Sequence, residues 1–267
     1  MTAPAWRQVT ITFPDPPTAP QQARRHLAPV LVDAEGRRFI TTWFYVRKDA
    51  WRLRYLPTTT AERHVDDELQ RLIREHHIRA AIPGVYEPET YAFGGREAMN
   101  AAHQLWHHDS RNLLTHSSEP GHDRETSIIL VAAMMRAAGL DWYEQGDVWA
   151  RVAEHRDPPT PGSAAATLDA VKRLLTVDPA DLTGPQGPLA GHRALAEAYI
   201  RAGEGLRDLH QHGLLHRGLR EILAHHVIFT WNRRSIPGQH QAAIATTAKT
   251  LIFGPDPTLT APTRGGA

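Results

Sequence analysis

Runs of this chain in which apolar residues recur at every second position all lie before about residue 93, where helical stretches interrupt them, and after Gly95 apolar residues recur at every third or fourth position throughout. Side chains alternate faces along a strand and return to one face every 3.6 residues along a helix, so the two patterns demand different backbones. Strand runs followed by helix runs in 267 residues point to an α+β fold: a small antiparallel sheet in the N-terminal third, backed by a predominantly helical C-terminal two thirds. The change near residue 93 is a change of layer more than a linker, which predicts one domain over residues 1–267. It divides into a strand-bearing part at about 6–93, a helical part at about 94–253 and a flexible tail at 254–267, rich in proline, threonine and glycine.

In the first part, Val9, Ile11 and Phe13 alternate into a strand that Pro14 to Pro20 stop. Gln21 to Val32 reads as a helix, and Phe39 to Lys48 as a strand rich in aromatic and β-branched residues. Only Asp49-Ala50 separates it from Trp51-Arg52-Leu53-Arg54-Tyr55, so the two runs are expected to pair as an antiparallel hairpin. A helix from about Thr59 to His77, with Val65, Leu69, Leu72 and Ile73 on one side, leads to a strand over Ala81 to Glu87. Helices are then expected over Gly95 to Leu114, Asp123 to Ala138, Asp141 to His155, Ala164 to Leu175, Leu189 to Leu214, Arg217 to Arg233 and Gln239 to Ile252.

Composition removes several function classes. A formal net charge of +1 without runs of like charge gives no pull towards nucleic acid. The absence of cysteine excludes disulfides, thiolate metal sites and a cysteine nucleophile. The start Met1-Thr2-Ala3-Pro4-Ala5-Trp6 lacks the regions of a signal peptide, and no segment has the apolar length to span a bilayer. A cytoplasmic protein that binds neither membrane nor nucleic acid is therefore expected.

The candidate chemistry begins with Arg52 and Arg54, which alternation places on one face of a strand. Guanidinium forks match carboxylates bidentately, so the pair reads as an anion or enolate clamp; the competing reading is a strand edge blunted by charge. Among the 17 histidines, His103 and His107 lie four apart on one expected helix, beside His108 and Asp109. That spacing can hold a metal, but Gln104 stands where a zinc peptidase needs glutamate and no third ligand is evident, so no metal is expected. His225 and His226 flank apolar positions and are either structural or a general base. Tyr86-Glu87-Pro88-Glu89 with Phe93-Gly94-Gly95 is either a backbone anion site or, more simply, a tight turn opening a helix. The run Asp141 to Trp149, with Tyr143 in it, reads as a peptide groove or as a helix corner burying its tryptophans. No Gly-x-Ser-x-Gly elbow, Walker sequence or dinucleotide fingerprint occurs.

Taken in order, Trp43-Phe44-Tyr45-Val46-Arg47, Trp51 to Tyr55, Tyr86 to Glu89, Phe93-Gly94-Gly95, Asp109-Ser110, Ala224-His225-His226 and Trp231-Asn232-Arg233 resemble one family. It is the thiopeptide-type bacteriocin biosynthesis family, the stand-alone relatives of the C-terminal elimination domain of lantibiotic dehydratases. The resemblance implies work on a ribosomally made precursor peptide, in which glutamate is eliminated from glutamylated Ser or Thr to leave a dehydroamino acid. It implies Arg52 and Arg54 as anion and enolate stabilisers, His225 or His226 as base, and Arg47, Tyr86, Glu89, Tyr143, Trp231 and Asn232 as peptide contacts. No cofactor is implied. The implied partners are the precursor with its leader and a glutamylating dehydratase, and a homodimer is left open.

Two departures stand out. Ala92 occupies the place of an arginine before the aromatic-Gly-Gly step, and Ile228 and Thr230 stand where a histidine usually precedes Asn232-Arg233. They weaken elimination against two alternatives: a pyridine-forming [4+2] macrocyclase that joins two dehydroalanines and expels the leader, and a non-catalytic leader-binding subunit. Against the macrocyclase, the first strand is expected almost at the start, with no extra leader-binding region ahead of it.

Overall fold

The computed structural model describes residues 5–47, 50–59, 61–116, 123–159, 168–184 and 190–254. Strands β1 (Arg7–Thr12), β2 (Ile40–Arg47), β3 (Trp51–Pro57) and β4 (Ala80–Gly84) form one sheet in the order β2-β3-β1-β4, with every pairing antiparallel. Helices α1 (Ala19–Gln22) and α2 (Ala28–Gly36) connect β1 to β2, and α3 (His64–Arg74) connects β3 to β4. The two β-α-β units are interleaved, each split by a strand of the other. Between α1 and α2 the helix widens into one π turn at Ala23–Leu27. Pro29, at the start of α2, has no N–H to return to the preceding turn, which accounts for the wider hydrogen-bond ring there.

Each strand sorts its side chains by parity. Val9, Ile11, Trp43, Tyr45, Trp51, Leu53 and Tyr55 pack beneath Leu27, Leu31, Val65, Leu69 and Leu72 of the crossover helices. Burial of each such side chain is worth about 1.5–3 kcal/mol, which fixes register as well as stability, because a one-residue slip would turn Arg52 and Arg54 into this core. The opposite face carries Phe44 and Val46, covered by Phe93 and by Met99, Ala102 and Trp106 of α4 (Arg96–Thr115). α4 also closes the outer edge of β2. His107 Nδ1 sits 3.3 Å from Trp43 N and 3.0 Å from Trp43 O, and the Tyr45 N–H donates to Ser110 Oγ at 3.2 Å. Side chains of α4 thus occupy backbone groups that would otherwise template pairing with another strand.

Beyond α4 lie α5 (Asp123–Ala137), α6 (Trp142–Glu154), α7 (Leu168–Thr176), α8 (Pro179–Thr183), α9 (Arg193–Gln211), α10 (Leu219–Arg233) and α11 (Gly238–Phe253). α5 is buried all round from Thr126 to Met135, so its neighbours wrap it. Gly203 of α9 approaches it so closely that a Cβ there would lie 2.3 Å from the Met134 carbonyl oxygen. α6 starts where expected, on a capping box in which Asp141 accepts from Glu144 N and Glu144 accepts from Asp141 N. No helix among the described residues is long and apolar enough to cross a membrane.

Several boundaries differ from those read in the sequence. β4 stops at Gly84 rather than Glu87, because Gly84 is already opposite Gln8 and β1 offers only Arg7 beyond it. α3 begins at His64 rather than Thr59, after successive turns in which Ala61 N–H donates to Thr58 O and His64 N–H to Ala61 O. The helix expected from Leu189 begins at Arg193, behind a 3-10 turn at Ala190–His192. The short α8 was not expected at all. Lys48 and Asp49 in the hairpin turn, residues 164–167 and the tail from 255 fall outside the described residues.

Candidate functional site

α4 packs on β2, while Arg52 and Arg54 of β3 remain half-buried beside it on the same sheet face. Register sets Gln8 of β1 and Phe44 of β2 on either side of Arg54, and Thr10 and Val46 on either side of Arg52. Arg54 Nε donates to Gln8 Oε1 at 2.8 Å, and its two terminal nitrogens have no hydrogen bond to the described residues. Its guanidinium carbon lies 4.3 Å from the centre of the Tyr86 ring and 5.5 Å from that of Phe44. Burial lowers the Arg54 pKa, with Tyr86 and Glu89 acting in the opposite sense. Among the described residues neither Arg52 nor Arg54 has a carboxylate within ion-pair distance, unlike the pairs that arginines make elsewhere in the chain. A half-buried guanidinium held by an amide and two rings, with no ion pair to the described residues, has the chemistry to receive an anion.

Tyr86 stands in the extended segment after β4, and its Oη is 2.7 Å from His103 Nε2 of α4. Rings enclose this pair: Trp6 lies 4.6 Å and Phe44 5.6 Å from the His103 ring, with Trp106 at 5.7 Å. Burial, and then the positive charge of Arg54, push the His103 pKa down to about 4. Burial likewise raises that of Tyr86, so both groups are neutral at pH 7. A half-buried guanidinium, a neutral phenol and a neutral imidazole therefore share one aromatic-walled patch, a set with the chemistry to hold a carboxylate and relay a proton.

The structure gathers only part of the set expected from sequence. Arg52, Arg54 and Tyr86 come together, and exposed Glu89 acts electrostatically on Arg54, Tyr86 and His225. Arg47 is on the opposite sheet face, 4.7 Å above the Trp51 ring, in a cleft of about 430 Å³ shared with Phe13 and Ser235. His225 is half-buried with Nδ1 3.0 Å from Glu221 O, and the buried Phe93 ring lies between it and Trp106. Trp231 is fully buried, donating to Ser127 Oγ, and Asn232 accepts from Gln241. Tyr143 is exposed and stacks on Phe253 at the far end of α11. The other candidate base, His226, is 2 % exposed, packs edge-on to Phe93, and has no partner for either ring nitrogen among the described residues.

His103 and His107 do not converge on a common point, since one faces Tyr86 and the other faces Trp43 and Glu35. Gly94 and Gly95, at φ of 88° and 115°, spend their N–H groups on Tyr91 O and Thr90 O. The pair therefore works as the turn and helix start, and glycine's freedom is needed because both residues sit at positive φ, where a side chain would be strained. Sequence reading missed Gln8, Trp6 and the role of His103. The clue to His103 was present, four residues before a histidine that caps the β2 edge.

The neutral histidines make stability depend on pH. Burial pushes the His226 pKa to about 3 and helps push that of His103 to about 4, both below the ordinary histidine value of 6.5. The folded state then binds fewer protons than the unfolded one below pH 6.5, so stability is lost as pH falls from there towards 4, at about 1.4 kcal/mol per pH unit for each imidazole. Urea midpoints at pH 7.5 and 5 are expected to differ by less in His226→Leu than in the wild type, the remaining difference coming from His103 and the other histidines whose pKa burial lowers. An unchanged difference would show that His226 is already protonated in the fold.

Known proteins share this architecture. The chain superposes on the tRNA-dependent lantibiotic dehydratase MibB from Microbispora sp. 107891 with a TM-score of 0.67 and 19% identity, over 94% of this chain and 29% of MibB. It superposes on TsrL with a TM-score of 0.54 and 14% identity, over 95% of this chain and 99% of TsrL. No curated protein matches the chain in sequence. The family described as lantibiotic biosynthesis dehydratase, C-terminal, matches residues 6–252, which span the sheet, the Arg54 patch and every helix up to α11. The chain belongs to the lantibiotic dehydratase C-terminal family.

Proposed function

We propose that the chain eliminates glutamate from glutamylated Ser or Thr of a ribosomally made peptide, leaving dehydroalanine or dehydrobutyrine. The observation that carries this reading is the unused fork of Arg54, beside Arg52 and against Tyr86. Elimination of an acyloxy group needs a cation at the departing carboxylate and a second at the carbonyl whose α proton is lost, because negative charge grows on both in the transition state. Arg54 and Arg52, two residues apart on one strand face, supply them at fixed spacing on a rigid element. The exposed segment from Val85 to Tyr91 borders the patch and suits an extended peptide. A partner that installs the glutamate and a leader that brings the precursor follow from this role.

Mass spectrometry distinguishes the candidates. Incubation with a glutamylated precursor is expected to remove one glutamic acid for each modified residue. If a multiply dehydrated precursor instead loses its leader and gains an aromatic chromophore, pyridine formation replaces elimination. Binding of the leader with neither change would identify a non-catalytic subunit.

A further inference from the structure

We propose that Tyr86 and His103 together accept the α proton in this elimination, and that a carboxylate seated on Arg54 arms them. This inference rests on the elimination reading and names the base which that reading leaves open. Tyr86 Oη and His103 Nε2 are 2.7 Å apart, and His103 has no other hydrogen-bond partner among the described residues. The Arg54 guanidinium stands 4.3 Å from the Tyr86 ring centre, so an anion on its fork lies beside the phenol. The histidines weighed earlier lack this arrangement: His225 is tied to Glu221 O, and His226 is sealed in the core.

In the step, the Tyr86 oxygen takes the α proton of the esterified residue while its own proton passes to His103 Nε2. The Cα–H electron pair becomes the Cα=Cβ double bond. The Cβ–O bond breaks, and its electrons leave on the glutamate carboxylate, which Arg54 holds. Tyr86 ends neutral, and the imidazolium returns its proton to water when glutamate departs.

The charge that bears on His103 is Arg54 from β3; its partner Tyr86 faces it from the 85–95 segment, with Glu89 acting on Tyr86, and Trp6 and Trp106 present only rings. Alone, Arg54 opposes protonation of the imidazole. A bound carboxylate cancels that opposition, so His103 becomes a better proton acceptor when the leaving group is in place, and by linkage a protonated His103 binds the carboxylate more tightly.

Nitrogen NMR of histidine-labelled full chain, with L-glutamate as probe, tests the coupling without turnover. His103 Nε2 is expected to carry no proton at pH 7, and saturating glutamate is expected to raise the His103 pKa by about one pH unit in the wild type but not in Arg54→Gln. With glutamylated precursor, Tyr86→Phe is expected to lower kcat about 10²–10³-fold with little change in KM, and His103→Gln to remove the acid limb of the kcat profile. A protonated Nε2, a His103 pKa unmoved by glutamate, an equal rise in Arg54→Gln, or full turnover by Tyr86→Phe overturns the relay while leaving elimination standing. Absence of glutamate loss from the wild type overturns both.

Discussion

Asp109→Asn is expected to lower the unfolding free energy by about 3–5 kcal/mol, enough to leave much of the chain unfolded at 37 °C. Asp109 is fully buried on α4 and is the shared partner of two buried arginines from the end of α10. Arg233 Nε donates to Oδ2 at 2.7 Å, while Arg234 reaches Oδ2 at 2.9 Å and Oδ1 at 2.6 Å. Burial opposes the Asp109 charge, but Arg234 and Arg233 hold its carboxyl below the usual carboxylate range. The triad already carries one positive charge in excess, partly offset by the Trp106 ring 5.7 Å from the Arg233 guanidinium. Asparagine keeps the shape and removes the anion that the two arginines share, so both buried cations lose their hydrogen-bonded counterion at once. The variant reproduces at neutral pH what acid does to the wild type below the carboxylate range, where protonation of Asp109 removes its contribution. Circular dichroism and urea denaturation at pH 7.5 measure the loss. A midpoint within 1 kcal/mol of wild type would show that the triad is a solvated contact rather than the joint between α4 and α10.

This joint was invisible in sequence, and the reason is general. Asp109 and Arg233 are separated by 124 positions, and a lone aspartate beside three histidines on a helix looks like a solvated face. The sheet was far more legible. Trp51 to Tyr55 alternates so regularly that the strand and the Arg52–Arg54 face both followed, and the hairpin with β2 formed as expected, although its register, with Arg47 opposite Trp51, was not legible. Helix existence was equally readable, because α4, α6, α10 and α11 announce themselves by period and by punctuation with Gly and Pro. Orientation around a helix axis was not. On α10, neighbouring His225 and His226 are equivalent to the eye, yet one is half-buried and hydrogen bonded to its own helix while the other is sealed against Phe93. The hydrophobic positions of α10 run nearly all round it, so no moment told the two faces apart. The family resemblance points to a base near Asn232, on α10. In this chain the neutral imidazole nearest Arg54 comes from α4 instead.

Arg54→Gln is expected to reduce glutamate loss by about 10²–10³-fold in kcat, with little change in folding stability. Glutamine keeps a hydrogen-bonding end for Gln8 but abolishes the charge that the departing carboxylate needs. Stability changes little because Arg54 makes no ion pair with the described residues and is half-exposed, so its removal strands no buried anion. Arg54→Lys separates charge from geometry. It restores the cation without the planar fork, and recovery of about a tenth of wild-type turnover is expected if bidentate capture matters. The substitution to glutamine also removes the one charge that, after burial, lowers the His103 pKa, so that pKa is expected to climb towards the ordinary histidine value in the variant. Stability in Arg54→Gln should then be less sensitive to acid between pH 6.5 and 5 than in the wild type, by the same sign that makes the wild type lose stability there. The two readouts are independent: turnover reports the anion, and the pH dependence of the urea midpoint reports the imidazole. Wild-type turnover in Arg54→Gln would move the chemistry away from this patch, and an unshifted His103 in the same variant would break the electrostatic link between Arg54 and the Tyr86–His103 pair.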